Sequence, residues 1–245
     1  MLKESGALKY IVSPLFEKNG VHHGFLTRRG GVSAPPFDGL NFDTREGDSK
    51  ENVEENTRRA LSALGCAGNP SEGWAGRLFT LNQAHGDNVF TLEKAHDLSL
   101  RPDADAVITV QKRVALGILT ADCLPILLFD PVNKAIGAIH AGWRGALSGI
   151  TSRAVEEMKK KFGSTPADII AAKGPYIRRC CYSVSGDVRR EFISNYGRQA
   201  KDFFEERSGN IYFDIGSSAA AQMKGAGVRD ENIWDSDVCA SCEKE

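Results

Sequence analysis

The chain has 245 residues and a formal net charge of −1, from 31 basic and 32 acidic side chains. At this length folding buries roughly 70–75% of the unfolded surface, so the core needs no disulfide staples. The balanced charge excludes a global field that would hold nucleic acid or an anionic membrane.

Hydrophobic residues make up 41% and charged residues 26%, as in ordinary soluble globular proteins, and no apolar run approaches the ~20 residues of a membrane span. The opening MLKESGALKYIVSPLFEKNG lacks the apolar stretch and cleavage site of a secretory signal. A cytoplasmic enzyme or binding protein, one domain spanning 1–245, is expected.

In chain order, TRRGGVSAPPFDGLNFDT (27–44) is rich in Gly and Pro and reads as a loop. DSKENVEENTRRALSALG (48–65) predicts a helix, with Asp48 and Glu51 as a capping box and Gly65 just past its end. RLFTLNQ (77–83) and NVFTLEK (88–94) predict two short strands around a turn at AHGD. VALGILTADCLPILLFD (114–130) and KAIGAIHAG (134–142) are apolar, β-branched runs that read as buried strands, joined by a turn at DPVN, where proline presets φ. ALSGITSRAVEEMKKKFG (146–163) is a helix with Ile150, Ala154, Val155, Met158 and Phe162 on one face and Gly163 as its stop. Helices near 185–206 and 216–226 flank a short strand, IYFDI. Strand pairs mixed with helices predict an α+β fold, mixed β-sheets flanked by helices.

Pairing Asp130 with Asn133 across the turn sets Cys123 opposite His140, with Cβ atoms roughly 4.5–5.5 Å apart. A register two residues away keeps both on one face; an odd slip separates them. Asp122 then points to the opposite face. His85, in NQAHGDNV, sits where a turn can project it, and Gly86 admits close backbone approach. One thiol and two imidazoles suit a catalytic zinc shell with an open fourth position. The competing reading is a buried thiol and a satisfied core histidine.

Cys180 and Cys181 read as structural, and Cys239-x-x-Cys242 alone is a weak redox signal. Together the two pairs have the ligand count of a second thiolate zinc site, but their spacing gives it no geometry.

QAHG (83–86), TADCLPILL (120–128), IHAGWRG (139–145) and GPYIRRCCYSV (174–184) together resemble the YfiH/DUF152 family. RGGVS (29–33), LN (40–41) and ENVEENTRRAL (51–61) extend the match into the N-terminal half. Those proteins were first called multicopper polyphenol oxidases or laccases and are now regarded as zinc enzymes acting on purine nucleosides. The resemblance implies zinc held by His85, Cys123 and His140, which are also the catalytic set. It implies a fold similar to that of bacterial cysteine-dependent deamidase toxins, the CNF1/YfiH-like cysteine hydrolase fold. Ser183 stands where the family usually has glutamate, and relatives continue past CASCEKE into a Phe-Phe-Ser-x-Arg-Arg stretch. The expectation is a substrate pocket that lacks those arginines or replaces them.

Zinc brings the pKa of a bound water to about 7, which suits deamination at C6 of adenosine. Phosphorolysis instead needs phosphate beside C1′ of the ribose. Arg144 and Gly145 precede a helix expected to begin near Ala146, whose free N–H groups would face an anion, and Arg144 would add a forked pair of hydrogen bonds. Arg28 and Arg29 are further phosphate candidates. Asn41 and Gln83 are candidates for ribose or base, with loop capping as the alternative for Asn41. Trp143 is expected to pack strand against helix, with stacking on a base as the alternative, and Tyr182 to lie in the core, with a hydrogen bond to substrate as the alternative.

The leading expectation is a zinc-dependent purine nucleoside phosphorylase (adenosine, inosine, guanosine, methylthioadenosine) with adenosine deaminase activity, its partners being small molecules. A cysteine hydrolase or amidase using Cys123 and His140, extending to peptidoglycan-precursor editing, is the first alternative. A copper polyphenol oxidase is disfavoured, because five histidines are too few for type 1 plus trinuclear copper. A non-catalytic zinc-binding module is the last.

Overall fold

The computed structural model describes residues 1–69, 74–75, 78–93 and 100–243. A mixed sheet of six strands lies at its centre, in the order Ile233–Asp235, Ile170–Lys173, Leu124–Asp130, Ala135–Ala141, Ala106–Thr109, Val89–Thr91. The inner four run antiparallel, and each outer strand joins parallel.

Both faces of the sheet are covered, which is why LPILLFD is a continuous apolar run rather than an alternating one. Leu124, Ile126 and Leu128 meet the helices Ile150–Phe162 and Ile215–Gly225. Phe129 faces the other way, with Ile170 and Ala172, onto Ile11, Phe16 and Phe25 of the N-terminal segment. Farther along that face, Phe79, Leu81 and Leu92 cover Val107 and Ala138. Each fully buried aliphatic side chain here contributes roughly 1.5–3 kcal/mol of transfer free energy.

The fold is α+β, as expected. The helix in 48–65 runs Lys50–Ala63, and Gly65, at φ +69°, follows its C-cap. Its N-cap is Ser49, whose side chain accepts the Asn52 N–H, not Asp48. Asp48 is drawn away by the 27–44 loop and accepts hydrogen bonds from Ser33 Oγ and Asn41 Nδ2.

The strands flanking AHGD form, as Leu78–Thr80 and Val89–Thr91, but they do not pair with each other. The first joins Ala115–Gly117 and the second Ala106–Thr109, both in parallel. Residues 77 and 94, at the outer ends of the expected strands, lie outside the described residues. The apolar run 114–130 divides into Ala115–Gly117 and Leu124–Asp130, with Cys123 in the intervening loop.

The expected helix 146–163 starts earlier, as Trp143–Leu147, and breaks at Gly149 (φ +83°) before Ile150–Phe162. The 185–206 segment is the helix Gly186–Tyr196, a 3-10 turn at Arg198–Phe203 and the start of a strand, Phe204–Arg207.

The central hairpin is in register Asp130 with Ala135, two residues from the expected pairing. The Asp130 carboxylate accepts the N–H groups of Val132 and Asn133, and Lys134 takes a left-handed conformation at φ +57°. That makes a longer connection than a two-residue turn. Pro125, not Cys123, stands opposite His140. Cys123 lies just ahead of the ladder, whose first pair is Leu124 with Ala141. No helix among the described residues is long and apolar enough to cross a membrane.

Candidate metal centre

His140 is the penultimate residue of the strand Ala135–Ala141 and only 2% exposed. A buried imidazole needs a partner for each ring nitrogen it leaves out of water. Nδ1 lies 2.7 Å from Oδ1 of Asp105, and the His140 backbone N–H donates to the Asp105 carbonyl, also at 2.7 Å. With Nδ1 donating, Nε2 is left for other chemistry.

Asp105 is fully buried at the entrance to the strand Ala106–Thr109. Its carboxylate also accepts the backbone N–H groups of Ala84, His85 and Gly86, at 3.2, 2.9 and 2.7 Å. The AHGD loop is therefore wrapped on this carboxylate rather than closed as a hairpin, with His85 in the left-handed region at φ +59°. One carboxylate positions both histidines, whose rings meet edge-on with centroids 4.7 Å apart.

Cys123 comes from the loop entering Leu124–Asp130, and the Asp122 carbonyl beside it accepts the Ile177 N–H at 2.9 Å. The donor atoms of His85, Cys123 and His140 all lie within 4.8 Å of one another. Gly142 makes this convergence possible. A Cβ there would stand 2.9 Å from the His85 ring and 3.4 Å from Cys123 Sγ. Gly145 is constrained likewise, since a Cβ would stand 2.7 Å from the Gly86 carbonyl oxygen.

The electrostatics separate the two imidazoles. Burial alone would lower His140, but the hydrogen bond to Asp105 and the neighbouring Cys123 thiol outweigh it and push its pKa up to about 9. His85 is lowered, by burial and then by the neighbouring His140. Burial would raise Asp105, yet the His140 hydrogen bond and the loop N–H groups hold it below the ordinary carboxylate value.

Two neutral-capable nitrogens and one thiol are borderline-soft donors of the kind zinc takes at about 2.0–2.3 Å, with one position left open. The carboxylate behind His140 is the arrangement that fixes the tautomer of a ligating histidine. The residues fit the ion. His22 and His23 are engaged elsewhere, with the Leu64 carbonyl and with Ser13 and Val21.

Arg144 lies in the first turn of the five-residue helix Trp143–Leu147, not ahead of a helix beginning at Ala146. Its exposed guanidinium stacks over Trp143, 4.5 Å from the ring centroid, and its charge acts on His85 and Tyr182. Trp143 is half-buried against the main core. Tyr182 is half-buried too, and burial, then the nearby Cys123 and Asp122, push its hydroxyl up to about 12.

Gln83 turns its amide to Leu119, donating to the carbonyl at 2.7 Å and accepting the N–H at 2.8 Å. The Asn41 side chain bonds Asp43 and Asp48, closing its own loop. Arg28 is exposed, and its carbonyl accepts the Leu40 N–H. The structure thus gathers His85, Cys123 and His140 with Arg144 at their edge, while the amides of Gln83 and Asn41 are spent on backbone and loop.

Asp105 escaped the sequence reading. Its signal is a carboxylate immediately ahead of the apolar run AVI (106–108), where a charge cannot enter without partners.

Residues 22–245 match the sequence profile of the family described as multi-copper polyphenol oxidoreductase laccase. The chain is 39% identical over 222 residues to a purine nucleoside phosphorylase of Deinococcus radiodurans, covering 90% of this chain and 80% of that one. It is 34% identical over 238 residues to the purine nucleoside phosphorylase YfiH of Escherichia coli K12, covering 97% and 90%. The crystal structure of YlmD from Geobacillus stearothermophilus superposes with a TM-score of 0.85 at 28% identity, covering 99% of this chain and 89% of that one.

Proposed function

The chain belongs to the YfiH/DUF152 family, and on that premise we propose that it is a zinc-dependent purine nucleoside phosphorylase that also deaminates adenosine. The observation that carries this reading is the convergence of His85, Cys123 and His140 within 4.8 Å, with Asp105 behind His140. These three side chains would hold zinc, which supplies Lewis-acid polarisation of a substrate group when bound.

The remaining work belongs to the chain's own residues. Asp105 holds Nδ1 of His140 and the His85 loop, so both imidazoles are oriented before substrate arrives. Arg144, propped on Trp143, binds phosphate with its forked guanidinium. In phosphorolysis a phosphate oxygen bonds C1′ as the C1′–N9 bond breaks, and the purine leaves carrying the proton that the phosphate gives up. Tyr182, whose hydroxyl stays protonated at neutral pH, donates a hydrogen bond to the substrate. Gln83 and Asn41 act by holding their loops. Adenosine, inosine, guanosine and methylthioadenosine are the proposed substrates.

The test is adenosine turnover with and without phosphate on protein of known metal content. Adenine appearing only with phosphate, and inosine in either case, supports the reading; zinc-replete protein that forms neither product refutes it.

One observation favours a second reading. Asp105, His140 and Cys123 form an orienter, base and thiol chain, the arrangement of a cysteine hydrolase acting on amides. That reading leaves His85 without a catalytic task. Metal-free protein that keeps its activity, and loses it on stoichiometric alkylation of Cys123, would select it.

A further inference from the structure

Four cysteines that this function does not use converge at the other end of the segment 174–182. Two lie on a tight turn where the N–H groups of Cys181 and Tyr182 both donate to the Arg178 carbonyl, at 2.9 Å each. That turn brings Cys180 and Cys181 to one side, although on a regular strand adjacent side chains would diverge. The other two lie on the C-terminal segment, which runs parallel to Tyr176. A bridge pairs Tyr176 with Cys239, and the Ala240 N–H donates to the Tyr176 carbonyl at 2.9 Å.

The thiol sulfurs of Cys180, Cys181, Cys239 and Cys242 all lie within 4.8 Å of one another. Cys242 Sγ is 3.6 Å from Cys180 Sγ and 3.3 Å from Cys181 Sγ. A tetrahedral ion with bonds of about 2.3 Å sets its sulfurs roughly 3.8 Å apart, close to these separations, and all four thiols are free. The backbone around them is arranged for thiolate. The Arg178 N–H donates to Cys239 Sγ at 3.5 Å.

We propose that Cys180, Cys181, Cys239 and Cys242 form a structural tetrathiolate zinc site, separate from the His85–Cys123–His140 centre. Soft sulfur donors in tetrahedral array select zinc or iron–sulfur chemistry, and four sulfurs this close span one ion rather than a multinuclear cluster. On binding, four Zn–S bonds form and the thiol protons pass to solvent, with no change of oxidation state. The product carries two net negative charges. Arg207 is placed to offset them, its guanidinium donating to the carbonyls of Arg179 and Cys180 at 2.7 and 3.2 Å. Cys180 and Cys242 are exposed, which gives the ion an entry path.

The site would pin the C-terminal segment to the 178–182 turn. Through the hydrogen bond from Ile177 N–H to the Asp122 carbonyl, it would also steady the loop that carries Cys123.

The experiment uses the full chain carrying Cys123→Ala, which removes the thiol of the other centre. Cobalt(II) titration should show one tight equivalent, with the strong near-ultraviolet charge-transfer and visible bands of tetrathiolate coordination. Adding Cys239→Ser and Cys242→Ser should abolish those bands. Because that variant could fail to fold, alkylation footprinting of the unmutated protein runs beside it. Zinc-loaded protein should resist iodoacetamide at Cys180 and Cys242 despite their exposure, and a chelator should open both. No thiolate–cobalt band in the Cys123→Ala chain, alkylation indifferent to chelator, or a disulfide among the four in zinc-treated protein would each overturn the proposal.

Discussion

Replacing Asp105 with Asn keeps the side chain's volume but exchanges an acceptor oxygen for a donating amide. The carboxylate now takes three backbone N–H groups and His140 Nδ1, and an amide cannot serve all four. Loss of such a partner behind a metal-ligating histidine typically costs 10–100-fold in metal affinity. Asp105→Asn should weaken zinc by about that factor in a chelator competition, with roughly 1–3 kcal/mol of stability lost as well. An unchanged zinc affinity would mean that Asp105 shapes the loop without tuning the ligands. Gly142→Ala probes the same centre sterically. Its methyl would meet the His85 ring at 2.9 Å with Cys123 Sγ close behind, and one of the two must move. Metal occupancy and turnover should fall together, at a stability cost of about 1–3 kcal/mol for overpacking. Zinc stoichiometry near that of the parent chain would refute the assignment of His85 as a ligand.

The helix Trp143–Leu147 and its continuation Ile150–Phe162 are separate elements because Gly149 sits at φ +83°. The carbonyls freed at the break are capped from outside. Tyr196 Oη donates to Ala146 and Leu147 at 3.1 and 2.8 Å, and Gln222 donates to Ala146 at 2.5 Å. A side chain at Gly149 would be strained whatever the space. Gly149→Ala should lower stability by about 1–2 kcal/mol, read as a lower urea midpoint at unchanged m; an unshifted midpoint would show that the break is optional. This element also shows why the sequence was legible only in part. The apolar face Ile150, Ala154, Val155, Met158 and the stop at Gly163 are periodic and local, and both were found where expected. The break was hidden because the groups that cap it come from elements about 50 and 76 residues away. The hairpin register failed for a related reason, since a side chain, the Asp130 carboxylate, folds the turn. Cys123 still comes within reach of His140, their donor atoms within 4.8 Å, although it lies in the loop ahead of the ladder rather than opposite in it. The wrapping of AHGD on Asp105 depends on a contact across some 20 residues, which no local pattern reports.

Across the whole molecule, the loops and edges that surround the covered sheet are tied down by carboxylates. Asp48 fastens the 27–44 loop beside the helix Lys50–Ala63, and hydrogen bonds from Ser33 and Asn41 hold its pKa at about 2. Burial would raise Asp130 in the central turn, but hydrogen bonds from the Asn133 side chain and from the N–H groups of Asn133 and Val132 outweigh it and leave it below the ordinary value. Burial would likewise raise Asp235 on the edge strand, and Lys173, 2.9 Å away, overrides it. All three therefore have lower pKa values folded than unfolded. As pH falls through about 3.8, the unfolded value, the unfolded chain takes up protons first. The stabilisation from these groups is thus complete above that value and is lost as pH falls further, toward about 2 for Asp48. For metal-free protein, the urea midpoint should drop steeply below about pH 4, beneath the range in which the histidines titrate. Asp48→Asn should lower the midpoint at neutral pH and shrink that acid drop, because its charge no longer titrates. A midpoint that stays level from pH 5 to pH 3 in the parent chain, or an acid drop of undiminished size in Asp48→Asn, would mean that these carboxylates are spectators and that the apolar faces of the sheet alone hold the loops in place.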